Sequence, residues 1–145
     1  MPLPFTDLVQ SIANRFDRCA TVPAPKLTTV QEIGNYGERV AAAFLRQNGY
    51  RVLTRNYRTT RGELDLICRH GDILVFVEVR TRASTDFGRP IETIGAAKQD
   101  ALRYAARRYL ELLNREDIHY RFDAVEVMLN TGQTPVCTLL SDIFA

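Results

Sequence analysis

The stretch Val75-Phe76-Val77-Glu78-Val79-Arg80 narrows the choice of fold more than any other part of the chain. A run this apolar and β-branched reads as a strand covered on both faces, which calls for layers above and below one sheet. It nevertheless carries a carboxylate and, two residues on, a guanidinium. Burying an unpaired carboxylate costs roughly several kcal/mol even after relaxation. Glu78 therefore needs a partner: a metal ion, a cationic side chain, or both. Just upstream, Gly62-Glu63-Leu64-Asp65-Leu66-Ile67 reads as a second acidic strand. The turn Arg69-His70-Gly71-Asp72 makes the two an antiparallel hairpin.

The rest of the chain supplies the layers. Residues 1–27 read as an extension: Phe5, Leu8, Val9, Ile12, Ala13 and Phe16 recur at helical spacing, and Pro23-Ala24-Pro25 reads as a linker. The domain proper spans residues 28–145. Thr29 and Glu32 fit a capping box, and Ile33, Tyr36, Val40 and Phe44 mark a helix face that ends at Gly49. Gly34 and Gly37 inside that helix each cost about 1 kcal/mol relative to alanine, which suits a close backbone approach. Strands are expected at 51–57, 63–68 and 73–80, then a polar loop at 81–90. A long helix from about Thr93 to Asn114 follows, with Ile94, Ala97, Ala101, Leu102, Ala105, Tyr109 and Leu112 as its stripe. Strands at 120–129 and 136–140 close the chain. The fold class is α/β: a mixed central sheet flanked by helices, in the order αβββαβ.

Side chains alternate along a strand, so Glu63, Asp65 and Ile67 are expected on one face, and Leu74, Phe76, Glu78 and Arg80 on one face of the next strand. A matched register sets Asp65 across from Glu78 and Arg80. Two converging carboxylates repel each other unless a cation lies between them. Oxygen donors of this kind suit magnesium or manganese, and such an ion activates water and polarises phosphoryl oxygens. A structural ion-pair cluster of Asp65, Glu78 and Arg80 is the alternative.

The acid in one hairpin strand followed by Glu-x-(Lys/Arg) in the next resembles the PD-(D/E)XK motif of restriction-endonuclease-like proteins. The wider pattern is similar to the YraN family within that superfamily, which is also Holliday-junction-resolvase-like. The matching pieces are Gly34-Asn35-Tyr36-Gly37-Glu38, residues 62–67, residues 75–80, Lys98-Gln99 and Arg121-Phe122-Asp123. The resemblance implies a restriction-endonuclease-like αβββαβ core, with Asp65 and Glu78 as metal ligands. It implies Arg80 in the place of the catalytic lysine and Glu38 as the acid that the first helix contributes. Two positions depart from the motif: Leu64 stands where the proline would be, and Arg80 where the lysine would be. Arginine holds its proton, so Arg80 can stabilise charge but is a poor general base.

Charge supplies the expected partner. Of 19 basic residues only Lys26 and Lys98 are lysine, and arginine forks pair well with phosphate. Arg58 and Arg61 crowd the approach to Gly62. Arg82 and Arg89 follow Arg80, and Arg103, Arg107 and Arg108 cluster on the long helix. With Lys98 and Gln99, a rim of this kind would hold a phosphate backbone. Glu63 is a supporting acid or a solvated one. Asp123 supports the site or pairs with an arginine of the sheet. These features lead to a Mg2+- or Mn2+-dependent endonuclease acting on DNA, including branched or single-stranded repair and recombination intermediates. A non-catalytic nucleic-acid-binding module is the alternative, and an interaction protein docking through its N-terminal helix is a third reading. Pairing of two sites on two strands suggests a homodimer by analogy.

Other functional classes find little support. No apolar run approaches the ~20 residues that span a bilayer. No signal-peptide pattern opens the chain, which gives a cytoplasmic expectation. Cys19, Cys68 and Cys137 form no metal-site spacing and read as reduced thiols. His70 and His119 stand alone.

Overall fold

The computed structural model describes residues 22–83 and 94–144. The helix expected over residues 5–16, Cys19, Thr93 and most of the loop after Ala83, Arg89 included, lie outside the described residues. The elements in order are α1 (Val30–Gln47), β1 (Arg51–Arg58), β2 (Glu63–His70), β3 (Ile73–Ala83), α2 (Ala96–Leu113), β4 (Tyr120–Leu129) and β5 (Val136–Leu140). They form one five-stranded sheet in the order β1-β2-β3-β4-β5. β3 and β4 are parallel and every other pair is antiparallel. A parallel neighbour requires a crossover, and α2 is that crossover.

The apolar β3 is buried as its composition requires. Val75 and Val77 face a cluster built on α1, with Val40, Leu45 and Leu66. Leu74 and Phe76 face a second cluster built on α2, with Leu102, Ala105 and Phe122. α1 starts where the capping box placed it. Thr29 Oγ1 accepts the Glu32 N–H at 3.1 Å, and Glu32 Oε2 accepts the Thr29 N–H at 3.0 Å. The chain leaves α1 through Gly49, whose φ of 85° favours glycine.

The largest departures from expectation are at the end of β3 and along α2. β3 continues to Ala83 because Thr81, Arg82 and Ala83 pair with Val127, Met128 and Leu129 of β4. The loop thus begins later than position 81. α2 begins at Ala96, after the cap residue Gly95. Leu112, assigned to the apolar stripe of α2, is 71% exposed, and Leu110 and Leu113 pack on the sheet instead. Ahead of α1, Ala24 is buried and exchanges backbone hydrogen bonds with the β4–β5 turn, at 2.7 Å to Gln133 and 2.9 Å from Gly132.

Two glycines set how closely the helices approach. A Cβ at Gly37 of α1 would overlap the Thr81 side chain of β3. One at Gly62, entering β2, would stand 2.5 Å from the Ala101 carbonyl oxygen of α2. Gly34 meets nothing within 4 Å, so only its conformational entropy matters there. Gly34→Ala is therefore expected to raise stability by up to about 1 kcal/mol in urea unfolding. Gly37→Ala and Gly62→Ala are expected to lower it by about 1–3 kcal/mol through overpacking. Three equal effects would refute the close-approach role.

Candidate active site

The site begins as a defect in the sheet. Leu66 packs in the α1-side cluster and Leu64 in the α2-side cluster. In a regular strand, residues two apart share a face, so the alternation breaks at Asp65. Across the ladder, Asn56 of β1 takes a φ of 52°, a left-handed backbone that asparagine tolerates better than most residues. Pairing of β2 with β3 runs from His70↔Ile73 to Leu66↔Val77. Carried one step further, that register sets Asp65 opposite Glu78. There the Asp65 side chain enters the ladder: its Oδ2 accepts the Val79 N–H at 2.8 Å. The shared face expected for Glu63, Asp65 and Ile67 is lost at this break. Glu63 is exposed and acts on Glu38 electrostatically.

Glu78 is buried, with 8% of its surface exposed. Its Oε1 lies 3.2 Å from the Lys98 ammonium, while Oε2 is buried without a hydrogen-bond donor among the described residues. Lys98 reaches it because it sits four residues before the fully buried Leu102 and so shares the inner face of α2. Burial first, and then the Glu78 carboxylate, push the Asp65 carboxyl up to about 7. The Val79 N–H and the Lys98 charge oppose that rise. The two carboxyls lie within hydrogen-bonding reach, so Asp65 can supply the donor that Glu78 lacks only by keeping its proton. A cation in that place would serve both.

Glu38 approaches from the opposite layer. It lies one and two turns before Ala42 and Leu45, both fully buried, which aims it inward from α1. Its pKa is raised by burial and by the Asp65 charge, and lowered by a hydrogen bond from Asn56 and by Arg55. The left-handed turn at Asn56 thus serves the acid of the neighbouring helix. Glu38, Asp65 and Glu78 form one acidic zone across the sheet opening. No three carboxylate, imidazole or thiol groups among the described residues gather closely enough to hold a metal by themselves.

The remaining sequence candidates divide. Arg80 is half-buried on β3, two residues beyond Glu78, in register with Glu126 of β4. Arg82, expected on the nucleic-acid rim, is instead held in the sheet by Glu126 at 3.1 Å, with both side chains largely covered. Arg58 is exposed and 3.7 Å from Glu63, itself exposed. Arg61 lies over the Tyr104 ring, 5.3 Å from its centroid. Gln99 donates to the Ile94 carbonyl at 2.8 Å and secures the start of α2. Lys98 was read from sequence as a phosphate contact, and its place beside Glu78 went unrecognised. The signal was present: Lys98, Leu102, Ala105 and Tyr109 repeat on the inner stripe of α2.

Asp123 takes the structural course. It is fully buried on β4 and paired with Arg121 at 2.9 and 3.2 Å. It also accepts from the Tyr50 hydroxyl at 3.1 Å and the Asp142 N–H at 2.9 Å. His70 stacks on Tyr50 with ring centroids 4.2 Å apart, so it joins this network. Cys68 and Cys137 are free thiols, pushed up to about 12 and about 11 by burial. No helix among the described residues is long and apolar enough to cross a membrane.

Fold and site together define an α/β domain whose mixed sheet opens beside a pair of acids, Glu78 buried and Asp65 half-buried, with a lysine delivered by the crossover helix. The chain belongs to the family described as "Uncharacterised protein family UPF0102", whose pattern matches residues 37–127, the span containing Glu38, Asp65, Glu78, Lys98 and Asp123. It is 42% identical over 106 residues to the UPF0102 protein of Syntrophomonas wolfei subsp. wolfei, covering 73% of this chain and 92% of that one. It is 44% identical over 100 residues to the UPF0102 protein of Caldicellulosiruptor saccharolyticus, covering 69% and 85%. Among solved structures, SfsA of Pyrococcus furiosus in complex with Ca2+ aligns with a TM-score of 0.31 and 11% identity, over 81% of this chain and 74% of that one. At that score the alignment adds nothing to the reading of the site.

Two predictions test these assignments. Between about pH 4 and pH 7 the folded protein keeps a proton on Asp65 that the unfolded chain has released. Asp65 therefore lowers stability progressively as pH rises through that window, and fully above it. Asp65→Asn is expected to raise the Tm of the metal-free protein at about pH 8 and to flatten its decline above about pH 4. Parallel melting profiles in EDTA would contradict this. Arg121→Met removes the paired charge and leaves the buried Asp123 carboxylate to the neutral donors of Tyr50 and Asp142, and is expected to cost about 3–5 kcal/mol in urea unfolding.

Proposed function

We propose that this protein is a metal-dependent nuclease that hydrolyses phosphodiester bonds in DNA, and that Asp65 and Glu78 hold a magnesium or manganese ion. The supporting observation is the Glu78 carboxylate, met by Lys98 at one oxygen and by no fixed donor among the described residues at the other, beside Asp65, whose carboxyl is pushed up to about 7 by burial and by Glu78. Hard oxygen donors in a partly open site fit an ion that keeps several waters and takes only one or two carboxylates. When bound, such an ion polarises a phosphoryl oxygen and lowers the pKa of a bound water.

The chain's own groups have distinct tasks. The Val79 N–H fixes the rotamer of Asp65. Lys98 orients Glu78 and adds an ammonium where negative charge develops on the phosphate. Arg80, on the same strand, contributes a second fixed cation for the phosphate or the transition state. Glu38 bounds the site from α1. The αβββαβ order and the acidic hairpin support a PD-(D/E)XK-like assignment. Branched or single-stranded intermediates of repair and recombination are the proposed substrates, and a homodimer would address both strands.

The second reading, a nucleic-acid-binding module without cleavage, is favoured by arginine at position 80. Lys98 weakens that argument because it restores a lysine to the carboxylates from a different element. A panel of duplex, single-stranded and junction DNA, incubated with Mg2+ or Mn2+, separates the two. Cleavage is expected, abolished by Asp65→Ala and by Glu78→Ala, and lowered about 100-fold by Lys98→Ala. Salt-sensitive binding with no cleavage under either metal would establish the module. Cleavage that survives both acid substitutions would remove the carboxylate site from the mechanism.

A further inference from the structure

The outer face of α2 carries a feature that the carboxylate site does not use. A groove of about 520 Å³ lies between the β1–β2 tip and α2, walled by Arg61, Arg103, Tyr104 and Arg107, with Asp100 as the acid in its lining. A second groove, of about 260 Å³, lies between α2, the start of β4 and the C-terminal segment, and contains Tyr120 and Phe144. Arg103 and Arg107 line both, so the two grooves form one track along the helix.

Arginines and rings alternate along it. The Arg61 guanidinium lies 5.3 Å from the Tyr104 ring centroid, and that of Arg103 lies 4.8 Å from the Phe144 centroid. Tyr120 is 50% exposed. Arg61 and Arg107 are exposed and make no ion pair among the described residues. Asp100 is 3.9 Å from Arg103, and Arg121, at the far end, is committed to Asp123. The free positive charge of the track therefore rests on Arg61 and Arg107, at either side of Tyr104.

Guanidinium groups separated by aromatic rings suit a polyanion whose repeating unit joins a phosphate to a flat, unpaired base. A duplex keeps its base faces stacked inside and offers the rings nothing. The track also has a defined starting point. Gly62 touches the backbone of Ala101, one helical turn beyond Lys98, so the β1–β2 tip that carries Arg61 stands next to the acids. We infer that the outer face of α2 binds a single strand of nucleic acid running away from the carboxylate site. The link to a scissile phosphate rests on the nuclease reading; the strand-binding track rests on its own residues.

The test is fluorescence anisotropy of a labelled 15-nucleotide oligothymidylate across a salt series, in EDTA so that no cleavage intervenes. The full chain is expected to bind it more tightly than a blunt hairpin duplex. Arg61→Ala with Arg107→Ala should weaken binding at least tenfold and flatten the log-affinity against log-salt slope by about 1.4, roughly 0.7 for each lost phosphate contact. Tyr104→Leu should weaken it about tenfold, and Tyr104→Phe should leave it intact because the ring remains. No preference for the single strand, or wild-type binding by the double arginine variant, overturns the track. If Tyr104→Leu lowers the melting temperature, the arginine variant decides, since both of its altered side chains are exposed. Failure of cleavage with single-strand binding intact sinks the nuclease reading alone. Cleavage with single-strand binding absent sinks the track alone.

Discussion

Everything in this molecule is arranged around a strand that is buried on both faces and yet carries a carboxylate. The apolar side chains of β3 require a helix layer on each side, and those layers exclude the water that would otherwise solvate Glu78. Desolvation raises the cost of the acid and also strengthens every charge placed next to it. The covering layers then provide the compensation. α2 brings Lys98 and α1 brings Glu38. β2 abandons its alternation so that the Asp65 side chain can occupy a ladder position and meet Glu78.

The close approaches serve the same end. Gly37 lets α1 settle against Thr81, one residue past Arg80, and Gly62 lets α2 settle against the entry to β2. Both contacts flank the acids, one from each layer. The network of Asp123, Arg121, Tyr50 and His70 ties the other end of the sheet to the α1–β1 corner. Rigid packing at both ends leaves the opening between β2 and β3 as the place where polar groups gather.

Much of this was legible in the residues, for definite reasons. Element order and the pairing of Asp65 with Glu78 follow from strand length, turn residues and alternation, all of which are local. Glu38 came from the resemblance, because its spacing from Ala42 and Leu45 suits a solvated residue as well as a cleft-facing one. The break in alternation was not, because it depends on Asn56 in the neighbouring strand adopting a left-handed backbone. Arg82 looked like a loop residue beside Arg80 until pairing with β4 extended the strand and gave it Glu126. Lys98 lay on a stripe that could be counted, but its partner is twenty residues away and is reached only through packing. The arginines of the α2 track were legible as a phosphate rim, but the rings of Tyr104 and Phe144 between them were not, because those contacts arise only through packing.

The crossover that delivers Lys98 also orders assembly in time. β1, β2 and β3 are successive hairpins with short loops, so their contacts close early, whereas the parallel β3–β4 pairing must wait for α2. Asp65 and Glu78 are thus brought together while the lysine is still on an undocked segment. Until α2 docks, water still reaches the two carboxyls, and the burial that raises the Asp65 pKa comes only with the helix that carries Lys98. The lysine and the desolvation that makes it necessary are thus delivered in one step, by the same helix.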